Sequence, residues 1–200
     1  MALLAGWNRT VLSIPILDQS QTAFSSGEFV QGDISVAQTF TPSISGNLSL
    51  LDLFMSNNDT AEGKPLIVSI YNTQGGIPNN LLGTVDLNNI GQDYAWYSLD
   101  FSSEGIFLNA NTQYAFELSC PGTFYGIYPG GSVNDSYSGG MALIQNGIGA
   151  AWQPDNRAKD LVFQTYMTVP EPSVSVLIVG GMPLLTLLFR VKRRNYDHDV

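Results

Sequence analysis

Histidine and cysteine are nearly absent from this chain of 200 residues, which holds one of each. The single histidine, His198, follows a basic cluster near the C-terminus, so no Ser-His-Asp or Cys-His arrangement can form within the rest of the chain. A lone Cys120 rules out an internal disulfide and a cysteine-rich zinc site, and its apolar neighbours predict a buried, inert thiol. Histidine-based catalysis is therefore excluded, and we predict neither a cofactor nor a metal site. Oxygen-rich turns at 57–59 and at Asp155 and Asn156 with Asp160 carry the ligands that calcium prefers, but none has the spacing of a calcium loop. Solvated turns are therefore the favoured interpretation, and calcium binding stays open.

Basic charge is also scarce, since 8 Lys and Arg stand against 17 Asp and Glu and the net charge is −9. Half of the basic residues are in the C-terminal tail, which leaves Arg9, Lys64, Arg157 and Lys159 in residues 1–169. This acidic balance argues against nucleic acid or an anionic membrane surface as a partner. The many carboxylates could still supply the acid and base of a glycoside hydrolase, a pairing that only spatial separation can reveal.

Long helical periodicity is missing outside the tail, whereas Gly, Pro, Ser, Thr and Asn are abundant. Short alternating runs separated by turn residues predict strands. The predicted strands are residues 36–41, 47–56, 65–71, 81–87, 95–101, 112–118, 124–128, 141–145, 148–152 and 160–167, with loops at 73–80 and 129–140. We therefore predict an all-β fold, an antiparallel β-sandwich with a jelly-roll-like arrangement, followed by one short C-terminal membrane helix.

The aromatic and branched residues of these runs define the expected core. Its predicted members are Phe40, Leu50, Leu53, Val68, Ile70, Tyr97, Leu99, Phe101, Tyr114, Phe116, Leu118, Leu143, Val162, Phe163 and Tyr166. Trp96, in a dense strand, is expected in the core as well. The predicted divisions are a lead-in over residues 1–35 with a doubtful start site, the sandwich over 36–167, a linker over 168–173, the membrane helix over 174–189 and a basic cytoplasmic tail over 190–200.

The C-terminal tail carries the strongest signal in the sequence. Pro170, Glu171 and Pro172 precede an apolar run of 16 residues without charge. As a helix this run covers roughly 24 Å, somewhat less than the roughly 30 Å hydrocarbon core of a bilayer. Four basic residues directly after it favour the cytoplasmic side for that end, namely Arg190, Lys192, Arg193 and Arg194. The sandwich domain should then face outward.

This order of a Pro-Glu-Pro motif, a short apolar helix containing Gly180 and Gly181, and an Arg-rich end resembles the PEP-CTERM sorting signal of Gram-negative bacteria. The resemblance covers about residues 169–194. It implies that the protein is exported, held at the membrane by the helix, and recognised and cut near the Pro-Glu-Pro motif by an exosortase. An uncleaved single-pass anchor is the alternative, and it also places the domain outside.

The N-terminus lacks a convincing signal peptide, because the apolar start is interrupted at Asn8 and Arg9. A signal peptide needs a basic start and an uninterrupted apolar stretch. We therefore expect the true start of the protein to lie upstream.

A second resemblance extends over roughly residues 36–167. Its motifs include 38–41 (QTFT), 66–71 (LIVSIY), 75–78 (GGIP) and 160–166 (DLVFQTY). They are similar to a group of bacterial extracellular β-sandwich modules attached to varied anchors. This resemblance implies a fold and a compartment, and it carries over no ligand-binding residue.

Aromatic residues near Gly-rich loops are the remaining candidates for a site, because a flat ring matches the apolar face of a pyranose. We predict Tyr128, Tyr137 and Trp152 as possible ligand-binding residues. The expected role is that of a non-catalytic cell-surface or extracellular-matrix protein that binds extracellular polysaccharide, with a carboxylate-based glycoside hydrolase as the alternative from another class.

Overall fold

The computed structural model describes residues 14–57, 65–122 and 126–170. About 57% of the structure is strand, and the described helix is a single 3-10 turn at Ser102–Glu104. The strands are β1 (Ile16–Gln21), β2 (Ser26–Gly27), β3 (Ile34–Phe40), β4 (Gly46–Asn57), β5 (Leu66–Gln74), β6 (Ile77–Leu87), β7 (Ala95–Asp100), β8 (Phe107–Leu108), β9 (Tyr114–Ser119), β10 (Ile127–Ser132), β11 (Ala142–Asn146), β12 (Gln153–Pro154), β13 (Asp160–Leu161) and β14 (Phe163–Thr168). The predicted all-β class is confirmed.

The strands form two antiparallel sheets. In the eight-stranded sheet the order is β1-β14-β4-β10-β13, with β7 and β8 also paired to β4 and with β2 paired to β10. In the six-stranded sheet the order is β12-β11-β3-β9-β5-β6. The long strand β4 is the centre of the first sheet, because β14, β7, β8 and β10 all pair with it.

The core lies where aromatic rings from the two sheets meet. Phe163, in the eight-stranded sheet, has its ring centroid 5.3 Å from that of Phe116 and 6.3 Å from that of Phe40, both in the six-stranded sheet. All three side chains are fully buried. Burial of such rings supplies much of the free energy that holds a sandwich together.

Most of the predicted core is buried, but Leu50, Tyr97 and Tyr166 are only half-buried. Leu50 lies opposite Tyr166, and the β4–β14 register shifts between Tyr166 and Met167. Since neighbouring side chains of a strand point to opposite faces, Leu51 and Leu53 turn inward and Leu50 turns outward. The prediction for Leu50 was wrong because alternation alone does not reveal which face is buried.

The predicted loop at 73–80 is a tight hairpin. Strand β5 continues to Gln74 and β6 begins at Ile77, so Gly75 and Gly76 alone make the turn. Both glycines have positive φ, at 63° and 80°, as a type I′ turn requires at its two central positions. The weak strand predicted at 81–87 therefore begins four residues earlier, at Ile77.

The sandwich also begins earlier than predicted. Strands β1 and β2 lie within the predicted lead-in of residues 1–35, and they pair with β14 and β10. Strand β1 is an edge strand with mostly exposed or half-exposed side chains, so it lacks the apolar alternation that marks a strand in a sequence.

Three further predictions in the second half of the chain need correction. The predicted loop 129–140 begins with strand, because β10 extends to Ser132. Residues 148–152, predicted as a strand, form a turn and an irregular stretch, and β12 follows them. The single strand predicted at 160–167 is divided into β13, paired with β10, and β14, paired with β4 and β1.

The predicted linker after Pro170, the membrane helix at 174–189 and the basic tail at 190–200 lie outside the described residues. Within residues 14–57, 65–122 and 126–170, no helix has the length and apolarity needed to cross a membrane.

Candidate functional site

Tyr137, predicted to bind a ligand, is a core residue. Only 7% of it is exposed, and its ring meets that of Phe163 edge to face at 5.2 Å. Its hydroxyl donates a hydrogen bond to Gln19 Oε1 at 2.9 Å and accepts one from the Thr41 backbone N–H at 3.2 Å. Burial raises the pKa of Tyr137 to about 12. The side chain has no surface to offer a ligand, which corrects the prediction.

The structure does not bring the other two predicted residues together. Tyr128 is half-buried on β10 in the eight-stranded sheet, and its ring lies 5.3 Å from that of Phe29. Trp152 is half-buried just before β12, the edge strand of the six-stranded sheet. Tyr128 and Trp152 therefore belong to different sheets, and only Tyr128 lies in the cleft described next.

A cleft of about 240 Å³ opens on the outer face of the eight-stranded sheet. It is lined by Ser56 of β4, Tyr128 of β10 and the loop residues Gln92, Asp93 and Tyr94. Tyr128 lies opposite Ser56 in the β4–β10 ladder, so the pairing of these two strands places both side chains at the cleft.

The loop before β7 is fixed at both sides. The backbone N–H of Gly91 donates a hydrogen bond of 2.7 Å to the Tyr97 hydroxyl, and the Asn57 N–H donates one of 2.7 Å to the Gly91 carbonyl. These bonds hold the segment that carries Gln92, Asp93 and Tyr94 against the end of β4.

Aromatic rings continue from the cleft along the outer face of the sheet. Tyr94 stacks on Phe54 with centroids 5.4 Å apart, and Phe54 lies 5.4 Å from Trp96. Phe24 packs against Tyr94 at 4.8 Å and Phe54 at 5.3 Å. Trp96 is 44% exposed and Phe24 is 48% exposed, so the row presents an apolar surface of tilted rings beside the polar cleft.

The β4–β7 register explains why Trp96 is outside, whereas we predicted it in the core. Trp96 lies opposite Phe54, and two residues further along β7 Ser98 donates a hydrogen bond of 2.5 Å to Asp52 on the same face. Leu99 of β7 points inward and is 2% exposed. Trp96 and Ser98 therefore share the outer face.

Glycines allow the rings to approach the sheet closely. A Cβ at Gly27 would collide with the Tyr94 hydroxyl, and one at Gly130 would stand 3.0 Å from Phe54 and 3.2 Å from Phe24. The Gly-rich stretch of β10 thus serves as a platform for the aromatic row. Its composition suggested a loop in the sequence, and only the ring contacts reveal why glycine is needed.

The chemistry of the cleft suits hydrogen bonding more than covalent catalysis. Burial raises the pKa of Tyr94, against an opposing hydrogen bond with Ser56, so its hydroxyl is protonated at neutral pH. Hydroxyl and amide groups of Tyr94, Tyr128, Ser56 and Gln92 can both donate and accept. Asp93 is the one carboxylate among the five residues that line the cleft.

Two carboxyl groups lie in contact with each other, those of Glu28 and Asp155, and the charge of Glu28 contributes to the raised pKa of Tyr94. Glu28 is 0% exposed and Asp155 is 2% exposed, so neither is open to a polymer. A pair of acids that hydrolyses a glycosidic bond must flank the substrate and leave room for it. Glu28 and Asp155 do not have this placement.

Sequence reasoning did not select four residues of the cleft and its aromatic row, namely Phe24, Phe54, Tyr94 and Trp96. The sequence shows that Phe54 alternates with Leu53 and Met55, and Trp96 with Tyr97. Alternation alone does not show which of the two faces of the strand is buried. The register between β4 and β7 selects the face, and no local pattern contains it. The chain matches no protein-family model, and no curated protein matches it.

Proposed function

We propose that the protein is an exported, non-catalytic component of the cell surface or extracellular matrix that binds polysaccharide through the Tyr94–Tyr128 cleft. The observation that carries this proposal is the cleft with its aromatic row on the outer face of the eight-stranded sheet. We include in the proposal a jelly-roll-like arrangement of the two sheets.

The arrangement of the site supports a sugar as the ligand. A pyranose has one apolar face, which stacks on a flat ring, and a rim of hydroxyl groups, which exchange hydrogen bonds. The exposed rings of Trp96 and Phe24 can stack on the apolar face of the sugar. The cleft residues Ser56, Gln92 and Tyr128 can exchange hydrogen bonds with its hydroxyl groups. A polymer can extend along the row beyond the cleft.

Charge favours a neutral polysaccharide. The chain has a net charge of −9, and Asp93 lies in the cleft itself. Repulsion would weaken the approach of uronate-rich or sulfated chains, most strongly at low salt. A neutral glucan or an N-acetylated amino-sugar polymer fits this surface better.

A carboxylate-based glycoside hydrolase is the rival proposal from another class. It would need a second carboxylate about 5 to 10 Å from the first, across the bond to be cut. The lone Asp93 in the lining of the cleft favours binding without turnover. Incubating each glycan that binds with the protein and assaying new reducing ends separates the two proposals, because release of product supports the hydrolase.

We expect Tyr94→Ala and Trp96→Ala each to weaken glycan binding by about fivefold, since a lost aromatic contact is worth about 1 kcal/mol. Binding is measured by titration of the hits from a glycan array. Trp152→Ala is the matched control, because Trp152 is a half-buried aromatic residue next to the other sheet, and this variant should bind like the parent. If Trp152→Ala abolishes binding while both cleft variants bind normally, the cleft is not the site. If the protein binds no glycan on the array, a structural or protein-binding role is favoured.

Export and sorting are proposed from the tail, whose Pro170, Glu171 and Pro172 precede an apolar run and Arg190, Lys192, Arg193 and Arg194. In this proposal an exosortase-type enzyme is the partner, and the apolar run holds the protein at the membrane before the protein reaches the surface. A permanent single-pass anchor is the alternative.

Deleting residues 170–194 should change where the protein accumulates, because it removes both the motif and the membrane segment. Fractionation of cells that express the precursor from its natural start would measure this. Equal amounts of parent and truncation in the soluble cytoplasmic fraction would contradict the proposal. The intact mass of the mature protein distinguishes a cleaved tail from a permanent anchor.

A further inference from the structure

Four buried oxygen atoms without a hydrogen-bond partner belong to Ser26, Glu28 and Asp155. They are Ser26 Oγ, Glu28 Oε1, Glu28 Oε2 and Asp155 Oδ2. Buried polar atoms in folded proteins nearly always have partners, because an unsatisfied one destabilises the fold. A concentration of unsatisfied oxygens is therefore a sign of something that binds there.

The contacts of these residues place the oxygens between β2 and the 155–159 loop. Ser26 and Glu28 are two residues apart in an extended segment, so their side chains share a face. The Ser26 hydroxyl and the Ala158 side chain both lie next to Gly131. The carboxyl group of Glu28 contacts that of Asp155. The backbone N–H of Phe29 approaches Glu28 without forming a well-aligned hydrogen bond.

Arg157 compensates the carboxyl groups of Glu28 and Asp155 only in part. Arg157 Nε is 3.8 Å from Glu28 Oε2, and the Arg157 side chain is 56% exposed, so this ion pair is loose. Asp155 Oδ1 accepts a hydrogen bond of 2.8 Å from the Arg157 backbone N–H, which orients the carboxyl group but leaves Oδ2 without a partner. Among the described residues, the ion pair recorded for this cluster is therefore the loose one between Arg157 and Glu28.

We propose that Glu28, Asp155 and Ser26 form a binding site for a divalent cation of the size and hardness of Ca²⁺. Calcium takes six to eight oxygen ligands, accepts carboxylates in one- or two-oxygen modes, and tolerates irregular geometry, whereas Mg²⁺ demands a regular octahedron. No three acidic, histidine or cysteine residues cluster in the part of the chain that the structure describes. Backbone carbonyls and water therefore complete the coordination.

A cavity adjoins the proposed site on the side of Asp155. Asp155 also lines a cavity of about 320 Å³, together with Asp135 and Lys159. Once bound, the ion would join β2 to the 155–159 loop, two segments that lie far apart in sequence. The unfolded chain has no such arrangement, so binding stabilises the folded state by mass action.

The experiment is thermal unfolding of the full chain in a nonionic detergent, at pH 8.5, in EDTA and then with 10 mM free CaCl₂ or MgCl₂. With the affinities common for extracellular calcium sites, CaCl₂ should raise Tm by about 3 to 10 °C and MgCl₂ by less. Glu28→Gln and Asp155→Asn should lose the response, and Asp86→Asn, at an exposed carboxylate of β6, should retain it.

Folding of the variants is checked in EDTA, where Glu28→Gln should unfold at or above the temperature of the parent, since it removes a buried charge. Arg157→Gln should respond to calcium more strongly than the parent, because it removes a competing cation. A calcium response that persists in Glu28→Gln and Asp155→Asn would place the ion elsewhere. No response in either the parent or Arg157→Gln at pH 8.5 would overturn the site and leave a shared proton between the two carboxyl groups.

Discussion

Replacing Phe163 with alanine should lower the free energy of unfolding by about 3 to 5 kcal/mol, the usual loss for a large aromatic residue removed from a core. The ring is fully buried, and it contacts Phe40, Phe116 and Tyr137 at centroid distances of 6.3, 5.3 and 5.2 Å. Its partners come from the other sheet and from the 133–141 loop, so the cavity would loosen several segments together. Urea unfolding followed by tryptophan fluorescence measures the change.

Phe107→Ala is the control for this prediction. Phe107 lies on the short strand β8 and is 50% exposed, so its loss should change the free energy of unfolding by less than about 1 kcal/mol. Similar losses in the two variants would mean that Phe163 is not at the centre of the core.

Asp160→Ala is expected to have the second large effect, a loss of about 2 to 4 kcal/mol. Asp160 is 0% exposed, and its Oδ2 accepts hydrogen bonds from the backbone N–H groups of Ser136 and Tyr137 at 2.9 and 3.0 Å. Its Oδ1 accepts a bond of 3.4 Å from the Gln38 side chain, which in turn accepts one from Leu161 N–H. Alanine would leave the Tyr137 N–H without an acceptor and would remove one of two acceptors from the Ser136 N–H and from the Gln38 amide. Each hydrogen bond to a charged group is worth about 1.5 to 3 kcal/mol.

Asp160→Asn separates the hydrogen bonds from the charge. Burial is the main reason that the pKa of Asp160 is raised, and the hydrogen bonds from Tyr137, Ser136 and Gln38 only partly offset it. An amide oxygen can still accept, and the buried charge is gone, so the loss should be clearly smaller than for alanine. Equal losses in both variants would show that the carboxylate charge, rather than its role as acceptor, is essential. Urea unfolding again provides the measurement.

The interior strands of the six-stranded sheet could be predicted from the sequence with useful accuracy. Strands β3, β5 and β9 begin or end within a few residues of the predicted boundaries, and Phe40, Val68 and Phe116 are buried as expected. Burial of these strands forces apolar residues into their sequences, so the local pattern carries the information.

The edge strand β1 and the Gly-rich strand β10 could not be predicted in this way. Strand β1 is polar and largely exposed, and β10 contains Pro129, Gly130 and Gly131, which are typical of a loop. Strand β10 is held by its neighbours β4, β2 and β13. The rings of Phe54 and Phe24 explain the glycine at position 130, and the Ala158 side chain explains the one at position 131. The reasons for these strands lie in residues distant along the chain.

At the candidate site, too, the sequence predicted some features and the strand pairing decided the others. Tyr128 lines the cleft, Tyr137 lies in the core, Trp96 lies outside, and Trp152 is next to the other sheet. Composition indicates which aromatic residues are available, but a strand has two faces that are equivalent until it pairs. Pairing between β4 and β7 decided that Phe54 and Trp96 face the solvent.

By itself the sequence determined the all-β class, the acidic charge, the scarcity of histidine and the order of motifs in the tail, because each depends on composition or on neighbours along the chain. Only the tertiary structure decided which aromatic residues form a surface and that Glu28 lies against Asp155, more than a hundred residues away. Strand register and burial are properties of pairs distant in sequence, and they exist only once the two sheets have formed.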